Sequence, residues 1–202
     1  TGVQTCALPI SGPDGGQRDA VRRLVAFATL MGFAAAPFWL FAPERADARG
    51  AGAVALLWAV LGLGGLVAGG VGDVAARLGD RLAQAGAALL LALGSVLAAL
   101  TTDPLLLLPG AAAFGLGYMS LTGLYLVTGT RILARRPALG PVIPFVAIAA
   151  GQACGAGLAG AGADHFGLAG VLAAAAVPAL ILVVAGPLFP ATFAGRWAPA
   201  AP

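Results

Sequence analysis

The chain is 202 residues long, with 60% hydrophobic residues, only 9% charged residues and a formal net charge of +3. Soluble domains carry about a quarter charged and about half apolar residues, so a cytosolic enzyme, a nucleic-acid binder and a secreted disulfide scaffold are excluded. The 31 Gly and 14 Pro lie inside apolar runs rather than polar tracts, which argues against disorder. What remains is an integral membrane protein.

The chain begins at Thr1 rather than Met, and residues 2–10 (GVQTCALPI) have no helical period, no charged n-region and no h-region of signal-peptide length. That stretch resembles one reading frame of a short-read sequencing adapter. Residues 1–17 are therefore expected to be a non-native scar with a disordered lead. Cys6 falls inside it, which leaves Cys154 as a small apolar residue of an apolar helix. No disulfide, metal site, redox motif or cofactor is expected.

A helix needs about 20 mostly apolar residues to cross about 30 Å of hydrocarbon. Six stretches qualify, at 24–42, 51–71, 82–100, 105–128, 142–163 and 168–187, and none contains Asp, Glu, Lys, Arg or His. Each such residue near mid-bilayer would cost about 2.5–3.5 kcal/mol. The runs are continuously apolar rather than alternating, which excludes a barrel. The expected fold is all-α, a six-helix transmembrane domain over 18–187 followed by a cytoplasmic tail over 188–202. Pro37 and Pro178 are predicted to kink their helices rather than end them.

The eleven basic residues are all Arg. Arg18, Arg22 and Arg23 precede the first stretch, Arg77 and Arg81 follow the second, Arg131, Arg135 and Arg136 follow the fourth, and Arg196 follows the sixth. Against these nine stand Arg45 and Arg49, which share their loop with Glu44 and Asp47. The bias predicts a multi-pass protein of the cell membrane with both termini cytoplasmic, as an even number of spans also requires. The turns at 101–104 and 164–167 are then external.

Segment 64–73 (GGLVAGGVGD) aligns with 155–164 (GAGLAGAGAD); both carry G-x4-G-x3-D, and Ala68 falls opposite Ala159. Three spans separate them, so Asp73 is expected inside and Asp164 outside. That is a three-plus-three inverted repeat, a recurrent construction of secondary transporters with the substrate path at the repeat interface. Gly65 and Gly69, like Gly151 and Gly155, lie one turn apart. Such ridges let helix backbones approach closely, and they would also let helices slide or rock.

Gln152 is the one amide well inside a span, since Gln84 lies near a boundary. A buried amide must find partners. Tyr118, Ser120, Thr122 and Tyr125 form the polar set of the fourth span, with Phe38 and Trp39 late in the first. Gln152, Tyr118, Ser120 and Trp39 are the candidates for a mostly apolar substrate path with a few orienting groups. Two alternatives stay open: Phe38 and Trp39 as an interfacial aromatic belt, and Ser120 and Thr122 bonded to their own helix. No carboxylate or histidine lies inside a span, and His165 sits beside Asp164 at an external end, so no proton carrier is expected here.

On these residues the chain resembles one half of a major facilitator superfamily transporter. LWAVLGLGGLVAGGVGDVAARLGDR (57–81) resembles the loop signature between the eighth and ninth helices. AAGQACGAGLAGAGADHFG (149–167) resembles the eleventh helix, especially in bacterial members of the YbfB/YjiJ type. The resemblance covers 18–187 and implies the C-terminal half of a twelve-helix secondary transporter, moving a small solute by alternating access in a bacterial inner membrane. It also implies that Asp73, Arg77 and Arg81 lock the cytoplasmic gate, with exposed pairs worth at most about 1 kcal/mol each. Arg77 comes four residues after Asp73, where the family normally has a basic residue beside the Asp. The implied partners are the solute, the bilayer and a missing N-terminal half, with no nucleic acid. On this reading the chain alone would not transport, and Gln152 and the Gly151–Gly155 ridge would face the missing half. The alternatives are a six-span intramembrane enzyme and a non-transporting scaffold subunit. A rhomboid-type protease needs a Ser and a His that meet inside the bilayer, and Ser120 and the terminal His165 do not offer that, so no enzyme is expected. Regularly spaced arginines within a span, the mark of a voltage sensor, are absent from the sequence.

Overall fold

The computed structural model describes residues 15–48, 50–101 and 103–192. The expected scar at 1–10, the rest of the lead through 14 and the tail from 193 onward lie outside the described residues. The described residues are helical and contain no strand. The helices are α1 (Gly15–Asp47), α2 (Ala51–Ala68), α3 (Val71–Leu78), α4 (Asp80–Leu100), α5 (Pro104–Ile132), α6 (Leu139–Ala174) and α7 (Ala176–Val184), followed by a single 3-10 turn at Gly186–Leu188. Four segments are long and apolar enough to cross a membrane: Gly15–Asp47, Asp80–Leu100, Leu106–Ile132 and Leu139–Val184. The pair Gly52–Ala68 and Val71–Leu78, bent by 46°, makes a fifth.

The breaks in the helices follow from glycine. At the α2–α3 bend the N–H groups of Gly69 and Gly70 donate to Leu66 and Val67 three residues back, at 3.1 and 3.2 Å. These tight turns end α2 and redirect the chain. The longest helix carries a non-helical residue, Gly167, with φ 69° and ψ 168°, a combination that glycine alone adopts without strain. A Cβ on Gly162 would lie 3.4 Å from Val171 Cγ2, although nine residues of continuous helix span about 13.5 Å. The chain therefore turns back at Gly167, and α6 consists of an outgoing arm and a returning arm that leads into α7. Proline breaks little. Pro37 and Pro43 lie within the uninterrupted α1, and Pro178 sits in the first turn of α7, where its missing N–H has no intrahelical acceptor to lose.

Close glycine contacts set the helix directions. Gly32 meets Ile148, Gly151 meets Thr29, and Gly155 meets Phe33 and Ala36, so α1 and the outgoing arm of α6 run parallel. Gly115 meets Leu61, Gly64 meets Ala112 and Leu116, and Gly65 meets Met119, so α2 and α5 also run parallel. By contrast α4 is antiparallel to α5, through Gly94 with Phe114 and Gly117 with Ala87. It is antiparallel to α7 as well, since Gly186 lies against Arg81 and Ala85 while Gln84 reaches Leu182.

Two packing expectations need correction. The Gly151–Gly155 ridge does not wait for a missing half: both glycines are buried against the α1 backbone, which fills the space where a Cβ would stand. On α2 the closest approach is made by Gly64, whose Cβ would lie 2.8 Å from Leu116 N. Gly65 touches only the Met119 side chain, and Gly69, exposed at the bend, packs against no other helix.

The core draws residues from all seven helices, around Phe38, Phe114, Tyr125 and Phe189, all fully buried. Outward-facing residues are apolar too, with Leu66, Phe166 and Val184 between 75% and 81% exposed. A surface so apolar is suited to lipid rather than water. The helical domain also reaches further than expected: α1 starts at Gly15 rather than residue 18, and Phe189 lies in the core beyond residue 187.

Candidate functional site

Four helices contribute one or more residues to a patch of aromatic and polar groups. Phe38 and Trp39 come from α1, Trp58 from α2, Phe114 and Tyr118 from α5, and Gln152 from α6. The Phe38 and Phe114 rings stack with centroids 3.7 Å apart. Trp39 stacks on Trp58 at 5.7 Å and stands nearly perpendicular to Phe114 and Tyr118, at 5.5 and 5.1 Å. Gln152 Nε2 donates to Tyr118 Oη at 3.1 Å. Gln152 lies 13 residues into α6 and 15 before the Gly167 turn, about 20 Å from each end. The amide therefore sits near the middle of the outgoing arm, half-buried, with Tyr118 and Trp39 half-buried beside it. Trp39 Nε1 is fully buried and has no hydrogen-bond partner among the described residues.

Three of the four expected path residues, Gln152, Tyr118 and Trp39, thus come together. Ser120 does not. It is buried, and two helical steps of about 100° turn it to the far side of α5 from Tyr118. Thr122 bonds to its own helix, donating to the Tyr118 carbonyl at 2.8 Å, as the sequence left open. The Trp39 ring packs inward on Phe114 and Tyr118. Trp58 and Phe114 were not singled out by the sequence; each is an ordinary aromatic in an apolar run, and only the helix pairing gathers them.

Of the expected gate residues, Asp73 and Arg77 lie on α3 and Arg81 in the first turn of α4. Asp73 and Arg77 occupy the first and last turns of α3, where the helix dipole favours an acid and a base respectively. Asp73, Arg77 and Arg81 are all exposed, and among the described residues they form no ion pair with one another. The buried acid is Asp80, 2% exposed, which accepts from both the backbone N–H and the hydroxyl of Thr192. Arg131 donates to the Thr192 carbonyl at 3.4 Å. Nearby Gln84 Nε2 donates to Tyr125 Oη and the Leu182 carbonyl, at 3.5 and 3.3 Å. Phe189 packs between Phe27 and Tyr125, with centroids at 5.3 and 5.4 Å. The chain after α7 is thus clasped to α1, α4 and α5 at the end where α1 begins. There Gln17 also donates to the Ile132 carbonyl at 2.7 Å. At the opposite end Arg45 donates to the Ala99 carbonyl at 3.2 Å, a cation at a helix C-terminus.

Among the described residues no three His, Cys, Asp or Glu side chains gather into a metal-binding group. Ser120 lies buried within α5, whereas His165 is exposed beside the Gly167 turn. Comparison of the chain with protein-family models, with curated proteins and with solved structures finds no match.

Proposed function

We propose that the chain is a six-span unit of a secondary transporter, carrying one wall of the path along which a small uncharged solute moves by alternating access. A doubled helix contact supports this reading. Gly64 and Gly155 hold the same place in the aligned segments 64–73 and 155–164. Gly64 makes its close approach to Ala112 and Leu116 of α5, and Gly155 makes its own to Phe33 and Ala36 of α1. Both pairs run parallel. If α2 with α3 is one span, and α6 is divided at Gly167, the chain crosses six times in alternating directions. The second crossing then packs on the fourth as the fifth packs on the first, the relation a three-plus-three inverted repeat requires. Inverted repeats with a polar site between them are characteristic of secondary transporters, and the Gln152–Tyr118 pair of the second repeat packs on Trp39 of the first.

On this proposal both termini are cytoplasmic, following the arginine distribution, and a second six-helix unit supplies the opposite wall. Asp73, Arg77 and Arg81, exposed on one cytoplasmic segment, would engage that unit rather than one another. The test is water access at Gln152. In a chain with Cys6 and Cys154 changed to Ser, Gln152→Cys is treated in sealed native-membrane vesicles of either orientation with a charged thiosulfonate. Modification from both faces is expected, with Phe145→Cys, 60% exposed on the same helix, unreactive as the lipid-facing control. A Gln152→Cys variant no more reactive than that control removes the transport reading.

A further inference from the structure

The chemistry of the aromatic patch narrows what it would take, and this inference rests on reading the patch as part of a solute path. Trp39 Nε1–H is buried with no acceptor among the described residues, although buried donors are almost always paired. The Tyr118 phenol oxygen accepts from Gln152, which leaves the phenol's own proton to donate. The donors nearest the rings are Trp39 Nε1–H and the Tyr118 hydroxyl, and only the first lacks a partner among the described residues. Around them stand flat surfaces: Phe114 and Tyr118, parallel within 9° at 5.9 Å, and Trp58, inclined 19° to Trp39 and 44% exposed.

Two ligand classes fit aromatic walls, organic cations and neutral flat rings. A cation would gain from the ring faces, but it would leave the Trp39 N–H without an acceptor. It would also find no carboxylate within the apolar stretches at 24–42, 51–71, 105–128 and 142–163. An anion would find no Arg, Lys or His there either, and an unpaired charge at that depth is costly. We propose that the patch binds an uncharged, flat ring compound carrying a hydrogen-bond acceptor. The acceptor takes the Trp39 N–H, the ring lies against Trp39, and the half-exposed Trp58 is the wall that gives way.

The test uses the purified chain in nanodiscs and reads tryptophan fluorescence, corrected with empty nanodiscs. Three probes share similar size: coumarin, flat and neutral with a carbonyl acceptor; naphthalene, flat without one; and N-methylquinolinium, flat and cationic. Coumarin is expected to quench saturably, with an affinity about tenfold above that of either other probe, as one buried hydrogen bond provides. Trp39→Phe, which keeps a ring and removes the donor, should abolish the preference over naphthalene while Trp58 still reports. Should Trp39→Phe fail to fold, the comparison of coumarin with naphthalene on the unaltered chain still decides. Equal affinity for coumarin and naphthalene on the unaltered chain, or preference for the cation, overturns the inference. The outcome separates from that of the transport reading: a coumarin preference with Gln152→Cys unreachable from water leaves a binding site without a path, and a reachable cysteine without the preference leaves a path for another solute class.

Discussion

Two acidic residues seven positions apart have opposite surroundings. Asp73 is exposed in the first turn of α3, whereas Asp80 is buried and holds Thr192. Asp80→Ala should therefore destabilise the bundle by about 1–3 kcal/mol, since it leaves the half-buried Thr192 donors of the clasp without their acceptor. Asp73→Asn should stay within about 0.5 kcal/mol. Thermal unfolding followed by size-exclusion of the detergent-solubilised protein measures both. Under the proposed function, Asp73→Asn would keep its abundance and lose transport instead. The sequence pointed to Asp73 because it closes an apolar run. Asp80 follows it in a second Gly-Asp pair, and its burial depends on a residue 112 positions away, which no local pattern reveals. The glycines divide in the same manner. Gly151→Val would drive a side chain into the Thr29 carbonyl, whereas Gly157 has open space around it. Gly151→Val should cost at least about 1–3 kcal/mol and Gly157→Val much less, by the same unfolding measurement. Glycine spacing identifies which residues are able to pack closely, but the side of the helix that meets a neighbour follows only from the assembled bundle.

At the scale of elements, apolar length was the most legible property. The stretches at 82–100 and 105–128 lie within α4 and α5, and 24–42 lies within α1. What length could not convey is where a helix bends. The second stretch continues past its expected end as α3 after the 46° bend, and the fifth and sixth are assigned as one helix up to Ala174 despite the reversal at Gly167. Glycine is spread through every span, so its presence alone does not mark the turns. The sequence predicts a cytoplasmic tail over 188–202, beyond the helical domain. Phe189 instead sits 1% exposed between Phe27 and Tyr125. Phe189→Ala should cost about 3–5 kcal/mol, as for a buried phenylalanine, whereas Leu188→Ala next to it, 59% exposed, should change little. A matched loss of thermal stability in both variants would return the segment to the status of a tail.

At the scale of the whole molecule, the account depends on how many times the chain crosses the bilayer. The parallel pairs α1 with the outgoing arm of α6, and α2 with α5, make sense as halves of one inverted repeat only if the chain reverses at Gly167. Composition made the membrane assignment legible, because 9% charge cannot solvate a bundle of this size. The helix contacts by themselves carry no orientation, since a bundle turned upside down keeps every contact, and the proposed one rests on the arginine distribution alone. The most direct test is three-point labelling in sealed vesicles with a membrane-impermeant maleimide, on a chain whose Cys6 and Cys154 are replaced by Ser. Single cysteines are introduced at Ala138, before α6, at His165, beside the turn, and at Leu188, after α7; all three positions are exposed. The account predicts that Ala138→Cys and Leu188→Cys label from the cytoplasmic face and His165→Cys from the external face. Labelling of Ala138→Cys and Leu188→Cys from opposite faces would mean that Leu139–Val184 crosses once, and it would contradict both the six crossings and the inverted repeat.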